Sequence, residues 1–328
     1  MRKLVSIETI SDIQPIPNAD NIVVATVKGW EVVVKKGEFT VGEKAVYFEI
    51  DSWIPKEVAP FLCNPSTAKT YLGIEGARLR TIKLRGQLSQ GLLLPILSLV
   101  EKGYDLSNVD NLDEILNIRK YEHVITNTTK AKGSFPSFII KTDEERVQNL
   151  NYQNYINKLY YCTEKLNGSS MTVFLRNDEF GVCSRNVNLK EEDGSKFWHV
   201  ANLYNLREKL EKFGKNIALQ GELIGEGIQK NPYQLNGNDF YVFTLFDIDN
   251  FKKAPYNVMK DLCCQMGLKT VPVLDLEFRL PNERKKLIEF ADGKSVLNQK
   301  TIREGIVCRT LDNDISFKVI SNKFLLKD

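Results

Sequence analysis

The chain has 328 residues, 42% hydrophobic and 27% charged, an ordinary globular composition long enough for two separate cores. Lys and Arg number 45 against 42 Asp and Glu, so a net charge of +3 does not announce nucleic-acid binding and any basic footprint must be local. Two histidines and six cysteines without a C-x-x-C pair exclude a His-rich metal site, a zinc ribbon and a secreted disulfide framework; hard chemistry falls to Lys, Arg, Asp and Glu.

The amino terminus carries an acid early and lacks an apolar h-region, so no signal peptide is expected. Residues 22–27 and 31–34 are β-branched or alternating on either side of Lys28-Gly29-Trp30, which predicts two strands and a tight connection. Residues 43–50 form a third candidate strand, and Pro55 ends pairing after Asp51-Ser-Trp-Ile. Residues 78–84 alternate basic and apolar, and 91–97 return as an apolar strand. The longest apolar run, 91–100, is about half a membrane span and contains Pro95. Short strands separated by turn residues predict a small barrel of the OB type. Trp30 and Trp53 read either as base-stacking platforms or as barrel core, with at least one in the core. A short helix is expected within 111–120, then a polar, turn-rich linker around Thr126-Asn-Thr-Thr-Lys-Ala-Lys-Gly-Ser-Phe-Pro136.

Beyond the linker, Thr142-Asp-Glu-Glu-Arg146 has the form of a capped helix start, predicting a helix over 142–159. Strands are expected at 171–176, 217–221, 240–248 and 305–309. Helices are expected at 202–213, closed by Gly214, and at 256–266, closed by Gly267.

Chemistry concentrates in this second half. In Thr163-Glu-Lys165-Leu-Asn-Gly168-Ser-Ser a lysine ends an apolar run and a glycine turn follows. Its amine can attack an electrophile only when neutral, and an ordinary lysine titrates near pH ~10.4, so the segment alone reads more readily as a solvated turn. Five further stretches follow: Ser184-Arg185-Asn186; Gln220-Gly-Glu222-Leu-Ile-Gly225-Glu-Gly-Ile-Gln-Lys230-Asn231; Asp239-Phe-Tyr-Val-Phe-Thr-Leu-Phe246-Asp247; Arg303-Glu304-Gly305-Ile-Val-Cys-Arg309; and Ser316-Phe-Lys318-Val-Ile320-Ser-Asn-Lys323. Singly, the acids read as strand caps and Phe246 as core; their order and spacing together carry the signal.

That succession resembles the covalent nucleotidyltransferase superfamily of RNA ligases, DNA ligases and mRNA capping enzymes. Lys165-Leu-Asn-Gly168 looks like its K-x-[D/N/H]-G nucleophile motif. Gly221-Glu222…Gly-Ile-Gln-Lys-Asn231 and Phe317-Lys-x-x-Ser-Asn-Lys-Phe look like RNA-ligase forms of theirs. Pro17-Asn-Ala-Asp-Asn-Ile22, Val41-Gly-Glu-Lys and the segment from Arg78 are similar to the OB module that precedes the catalytic domain in one RNA-ligase family. DNA ligases and capping enzymes carry their OB fold after the last motif, and this chain ends ten residues past Lys318. The resemblance implies an α+β protein: an OB-type β-barrel over 1–120, a linker over 121–135, and a nucleotidyltransferase domain of mixed antiparallel sheets and helices over 136–328.

By the same resemblance, the implied activity is ATP-dependent sealing of 3′-hydroxyl and 5′-phosphate RNA ends or nicks, with AMP carried covalently on Lys165. Lys318 is expected to contact the α-phosphate. Mg2+ or Mn2+ is expected on Glu304, with Glu222 and Asn167 helping. Glu222 would otherwise take the ribose hydroxyls, Arg185 the ribose or a phosphate, and Phe246 would stack on adenine. Glu164 reads either as an adenine-edge contact or as a solvated acid, and Arg146 as a phosphate contact or a helix-face arginine. Ile320 departs from the pattern, standing where related ligases often have a second lysine; Lys323 or Lys230 would have to supply that charge. Asn167 likewise replaces a carboxylate of some relatives. In the barrel, Arg78 and Arg80 on one strand face, with Lys83 and Arg85 on the other or following a bulge, are expected to track RNA phosphates, the other reading being a solvated edge strand. An intracellular monomer with no membrane partner is expected. Two other readings stay open: a ligase preferring DNA ends, and an RNA- or tRNA-binding protein with a degenerate transferase domain.

Overall fold

The structure, a computed structural model, describes residues 3–63, 69–122, 130–192 and 194–327. Two compact units emerge: one of residues 1–124, 148–151 and 325–328, the other of 125–147 and 152–324. Residues 123–129 of the linker expected over 121–135 lie outside the described residues.

In chain order the strands of the first unit are β1 (Val5–Pro15), β2 (Ile22–Val27), β3 (Trp30–Lys35), β4 (Lys44–Phe48), β5 (Ser52–Pro55), β6 (Thr70–Tyr71), β7 (Ile74–Arg78), β8 (Thr81–Leu84), β9 (Gln87–Gln90), β10 (Leu92–Pro95) and β11 (Arg119–Lys120). One sheet runs β10-β4-β1-β2-β3, a second β11-β5-β7-β6, and β8 and β9 form a separate hairpin. β1 pairs with β4 through Val5–Thr9 and with β2 from Ile10 onward; a register shift between Ile10 and Asp12 marks the bulge at which its partner changes. The β2–β3 connection is the two-residue Lys28-Gly29 turn, with Lys28 at φ 52° as such hairpin turns require.

Sequence periodicity misreads three places here. The alternation over 78–84 is two strands, because the backbones of Asp51 and Ser52 bond to Leu79 and break the run. The apolar 91–97 run stops pairing at Pro95 and continues as helix α1 (Ile96–Val100), while the 111–120 helix shrinks to α2 (Leu112–Ile115) before β11. Both tryptophans are core: Trp30 donates its indole N–H to Asn149 Oδ1 at 2.7 Å, and Trp53 donates to Ile74 O at 3.0 Å.

The second unit contains β12 (Ala131–Ser134), β13 (Glu145–Arg146), β14 (Leu159–Lys165), β15 (Ser169–Arg176), β16 (Glu179–Cys183), β17 (Val187–Leu189), β18 (Ile217–Gly225), β19 (Asn238–Asp247), β20 (Lys252–Lys253), β21 (Lys269–Thr270), β22 (Val273–Arg279), β23 (Gly305–Arg309) and β24 (Ser316–Ile320). Its helices are α3 (Lys196–Leu203), α4 (Leu206–Phe213), α5 (Tyr256–Gln265) and α6 (Arg284–Ala291), and α7 (Asn322–Leu325) follows β24. The larger sheet runs β12-β17-β16-β15-β18-β19-β20, with β21 also on β19; the smaller runs β13-β24-β23-β14-β22. Helices α3, α4 and α5 cover one face of the larger sheet, burying Met171, Val173, Leu219, Phe240 and Val242 against Phe197, Leu210 and Met259. The opposite face carries Phe174, Ala218 and Phe246 under Ile139.

The helix expected over 142–159 is not formed. Glu145 and Arg146 pair in parallel with Phe317 and Lys318, and the rest folds into single turns at Val147–Asn149 and Tyr152–Asn154. An edge strand offered backbone partners, and an Asn-rich segment has little helix propensity to oppose it. The helix expected over 202–213 is likewise two helices, broken where Asn205 turns left-handed at φ 49°. Among the described residues, no helix is long and apolar enough to cross a membrane.

Candidate active site

β14 and β23 pair antiparallel with Lys165 opposite Gly305, which puts Glu304, the residue before β23, beside the lysine at the strand end. Lys165 Nζ donates to Glu304 Oε1 at 2.7 Å. The chain then turns at Asn167-Gly168 into β15. Gly168 is required by close approach: a Cβ there would lie 2.4 Å from Leu223 O and 2.8 Å from Glu222 Cγ. This contact brings β18 and its Glu222 against the Lys165–Gly168 turn. Burial pushes the Glu222 carboxyl up to about 8; the Glu304 charge adds to that push, while Lys165, the Gly168 N–H and Arg185 oppose it.

Register defines which cations share this face. Lys165 pairs across Gly305 to Ile320, and Thr163 pairs across Val307 to Lys318 and on to Arg146. Paired and alternate residues share a sheet face, so Lys165, Lys318 and Arg146 lie on the same one. Ile320 is buried directly across Gly305, where a Cβ would lie 2.1 Å from Val319 O. Lys323 sits in α7, its backbone N–H donating to Asp292 Oδ1 at 3.1 Å, with its side chain exposed; Lys230 is exposed as well. Among the described residues, no ion pair ties either lysine to Glu222 or Glu304.

Glu164 is buried rather than solvated, and its Oε2 accepts from the Val296 N–H at 2.7 Å. Burial pushes its carboxyl up, opposed by Ser295, Val296 and Arg303. Arg185 pairs with Asp143 on a partly exposed edge, next to a 2.8 Å hydrogen bond between Thr142 and Ser170 hydroxyls. Arg146 is buried in β13, not on a helix face.

Phe246 requires a correction. It is 1% exposed, packed with Phe174, Ala218, Ile139 and Cys183 and edge-on to Phe251, so no face is open to a base. Three residues earlier, the β18–β19 register skips from Gln220↔Thr244 to Gly221↔Val242 and leaves Phe243 unpaired in a bulge. Bulges re-aim side chains, and partly exposed Phe243 packs near Leu166, the residue after the lysine, with the Arg309 guanidinium 5.5 Å from its ring centre.

Two side chains escaped the sequence reading. Tyr233, buried in the β18–β19 loop, accepts a hydrogen bond from the Asn167 N–H at 2.6 Å. Arg309 pairs with Glu144 at 3.2 Å; burial would raise the Glu144 carboxyl, but Arg309, Lys253 and the Ser316 hydroxyl hold it below its ordinary value. Neither is visible in a sequence, because each depends on residues more than 60 positions away.

In the first unit, Arg78 is corrected too. It donates to Asp51 Oδ1 at 2.8 Å and lies 4.8 Å over the Tyr121 ring, with its side chain 10% exposed, so it supports the barrel rather than tracking phosphate. Arg80, Lys83 and Arg85 are exposed on or beside the β8–β9 hairpin, whose tip is the left-handed pair Arg85-Gly86.

Comparison with known proteins places this geometry in a family. An OB-fold domain model matches residues 4–96, and an RNA ligase model matches residues 158–320. No curated protein matches significantly. A mutant of Naegleria gruberi RNA ligase solved with ATP and Mn is 42% identical over 99% of this chain and 99% of its own, with a TM-score of 0.92. The Naegleria gruberi enzyme with PPi is 43% identical over 99% and 98%, at 0.91, and another mutant with AMP and Mn is 42% identical over 100% and 99%, at 0.93. With an OB fold ahead of a transferase-type unit and similarity along the full chain to one such enzyme, this chain belongs to the RNA ligase family.

Proposed function

We propose that the chain seals RNA ends bearing a 3′-hydroxyl and a 5′-phosphate in three transfers. The neutral Lys165 amine attacks the α-phosphorus of ATP, expelling pyrophosphate and forming a phosphoramide to AMP. The RNA 5′-phosphate then takes the AMP from Lys165, and attack by the 3′-hydroxyl forms the phosphodiester and releases AMP. The observation that carries this reading is the convergence of Lys165, Glu304 and Glu222 on one turn, with Lys318 and Arg146 on the same sheet face. Such chemistry rests on positioning and on charge neutralisation, which these cations supply.

A divalent ion, Mg2+ or Mn2+, fits the donor set. Glu222 and Glu304 are close enough for one charge to raise the other's affinity for a proton, and a dication relieves that repulsion. Among the described residues, no three-acid cage exists, which suits an ion that keeps several waters and takes phosphate oxygens. When bound, it neutralises charge developing on the phosphates. Glu304 and Glu222 would hold it, with the Asn167 amide oxygen as a neutral helper. Lys318 and Arg146 would face the phosphates and Arg185 the ribose or a phosphate. Phe243 would stack on adenine in place of Phe246. Glu164 would orient the 295–296 segment beside the base. Arg80, Lys83 and Arg85 would contact the RNA backbone. We assign no phosphate contact to Lys323.

Incubation with magnesium and α-labelled ATP tests the reading: a labelled band in wild type, absent in Lys165→Ala. An unlabelled wild type, free of pre-attached AMP by mass, would leave an RNA-binding protein instead. A nick with ribose on its 3′-hydroxyl side should seal faster than an all-DNA nick; equal rates would favour the broader end preference.

A further inference from the structure

The loop between β18 and β19 holds a backbone that ordinary residues avoid. Gln229, Lys230 and Asn231 are consecutively left-handed, at φ 45°, 60° and 48°, and Gln234 follows at 56°. Such strain persists only where the surroundings over-determine it. Here they do. Pro232 O accepts from Asn298 Nδ2 at 3.0 Å and from Thr301 Oγ1 at 2.8 Å. Asn231 bonds Leu235 through both its amide oxygen and nitrogen, at 3.1 and 2.9 Å. Gln229 Nε2 reaches Gly168 O at 3.3 Å. The outcome of this bracing is the place of one side chain: the Tyr233 ring is buried with Leu166, Ile224 and Val271, and its hydroxyl meets the Asn167 N–H at 2.6 Å.

We propose that Tyr233 is a positioning residue for the nucleophile turn, clamping the Asn167 amide so that Lys165 is aimed at the α-phosphorus. The turn is held at three points. Lys165 is fixed by its pairing with Gly305, and Gly168 by its contact with Leu223 and Glu222; between them, Tyr233 fixes Asn167. The clamp acts through this one hydrogen bond, an oriented dipole aimed at the Asn167 N–H. This role rests on the lysyl-AMP reading, and it bears on the two transfers that pass through Lys165 and not on the final attack by the 3′-hydroxyl.

The test is Tyr233→Phe in the full chain, which keeps the ring in its apolar packing and deletes the hydroxyl. The rate of lysyl-AMP formation at saturating ATP should fall roughly 10- to 100-fold, the scale of a misplaced reacting group. The half-saturating ATP concentration should stay within about threefold of wild type, since no nucleotide contact is lost. Sealing of pre-adenylylated RNA should keep its wild-type rate. Unchanged lysyl-AMP formation would overturn the clamp, and so would equal slowing of both steps, the mark of a merely structural tyrosine. If wild type itself formed no lysyl-AMP, the underlying reading would fail, a result separate from either.

Discussion

Substituting Gly168→Ala gives the sharpest test of how the site is built. The added Cβ would lie 2.4 Å from Leu223 O, whereas ordinary contact begins at 3.4 Å, so the turn or β18 must yield by about 1 Å. The oxygen belongs to a paired strand, with Leu223 in register with both Ser169 and Phe240, so the turn is the part that moves. The same methyl meets Glu222 Cγ at 2.8 Å and pushes away the carboxylate that faces Lys165. A displacement of 1 Å at reacting groups costs about 100-fold in rate, and overpacking of this kind costs about 1–3 kcal/mol in stability. Rapid-quench measurement of lysyl-AMP formation, with a thermal melt alongside, separates the two effects. A Gly168→Ala protein that melts a few degrees lower yet labels at the wild-type rate would refute the argument that this contact aligns the turn.

The raised Glu222 carboxyl makes stability depend on pH. Below its unfolded value, near 4.5, both states are protonated; between there and about 8 only the unfolded chain ionises, so stability falls as pH rises and levels off above about 8. The melting temperature of Glu222→Gln should decline less over that window than wild type, and Mn2+ binding at pH 7 should release protons, measurable by calorimetry in buffers of different ionisation heat. Phe243→Leu should raise the half-saturating ATP concentration with little change in melting, whereas Phe246→Leu should lower stability by about 1–2 kcal/mol and leave ATP binding alone. Lys83→Ala with Arg85→Ala should weaken RNA binding and reduce its salt dependence by about two counterions, without slowing lysyl-AMP formation. Arg78→Ala should instead lower the melting temperature, because it strips Asp51 of its partner beneath Tyr121.

Short-range patterning alone determined much of this protein. The hairpin around Lys28-Gly29 and the strand Gly305–Arg309 follow from side-chain periodicity, and the helix stops at Gly214 and Gly267 from glycine's tolerance of left-handed backbone, both written within a few residues. The succession of short motifs around Lys165, Glu222, Glu304 and Lys318 was legible only through its resemblance to the covalent nucleotidyltransferases, since each segment singly reads as a solvated turn, a strand cap or core. Other features were decided only in three dimensions. Residues 142–159 hold a sound helix-start signal, yet Glu145 and Arg146 are captured by the free edge of β24, a partner more than 160 residues away. Phe243 and Phe246 are indistinguishable as aromatic residues in one apolar run; a single bulge, set by pairing with β18, sends one toward Leu166 and seals the other in the core. Arg78 alternates like a surface cation but turns inward to Asp51. Tyr233 carries no local sign of its role, because the N–H it meets is 66 residues earlier. Local propensity reports what a segment can do alone, and these outcomes were set by which backbone edges and polar groups tertiary contact left needing a partner.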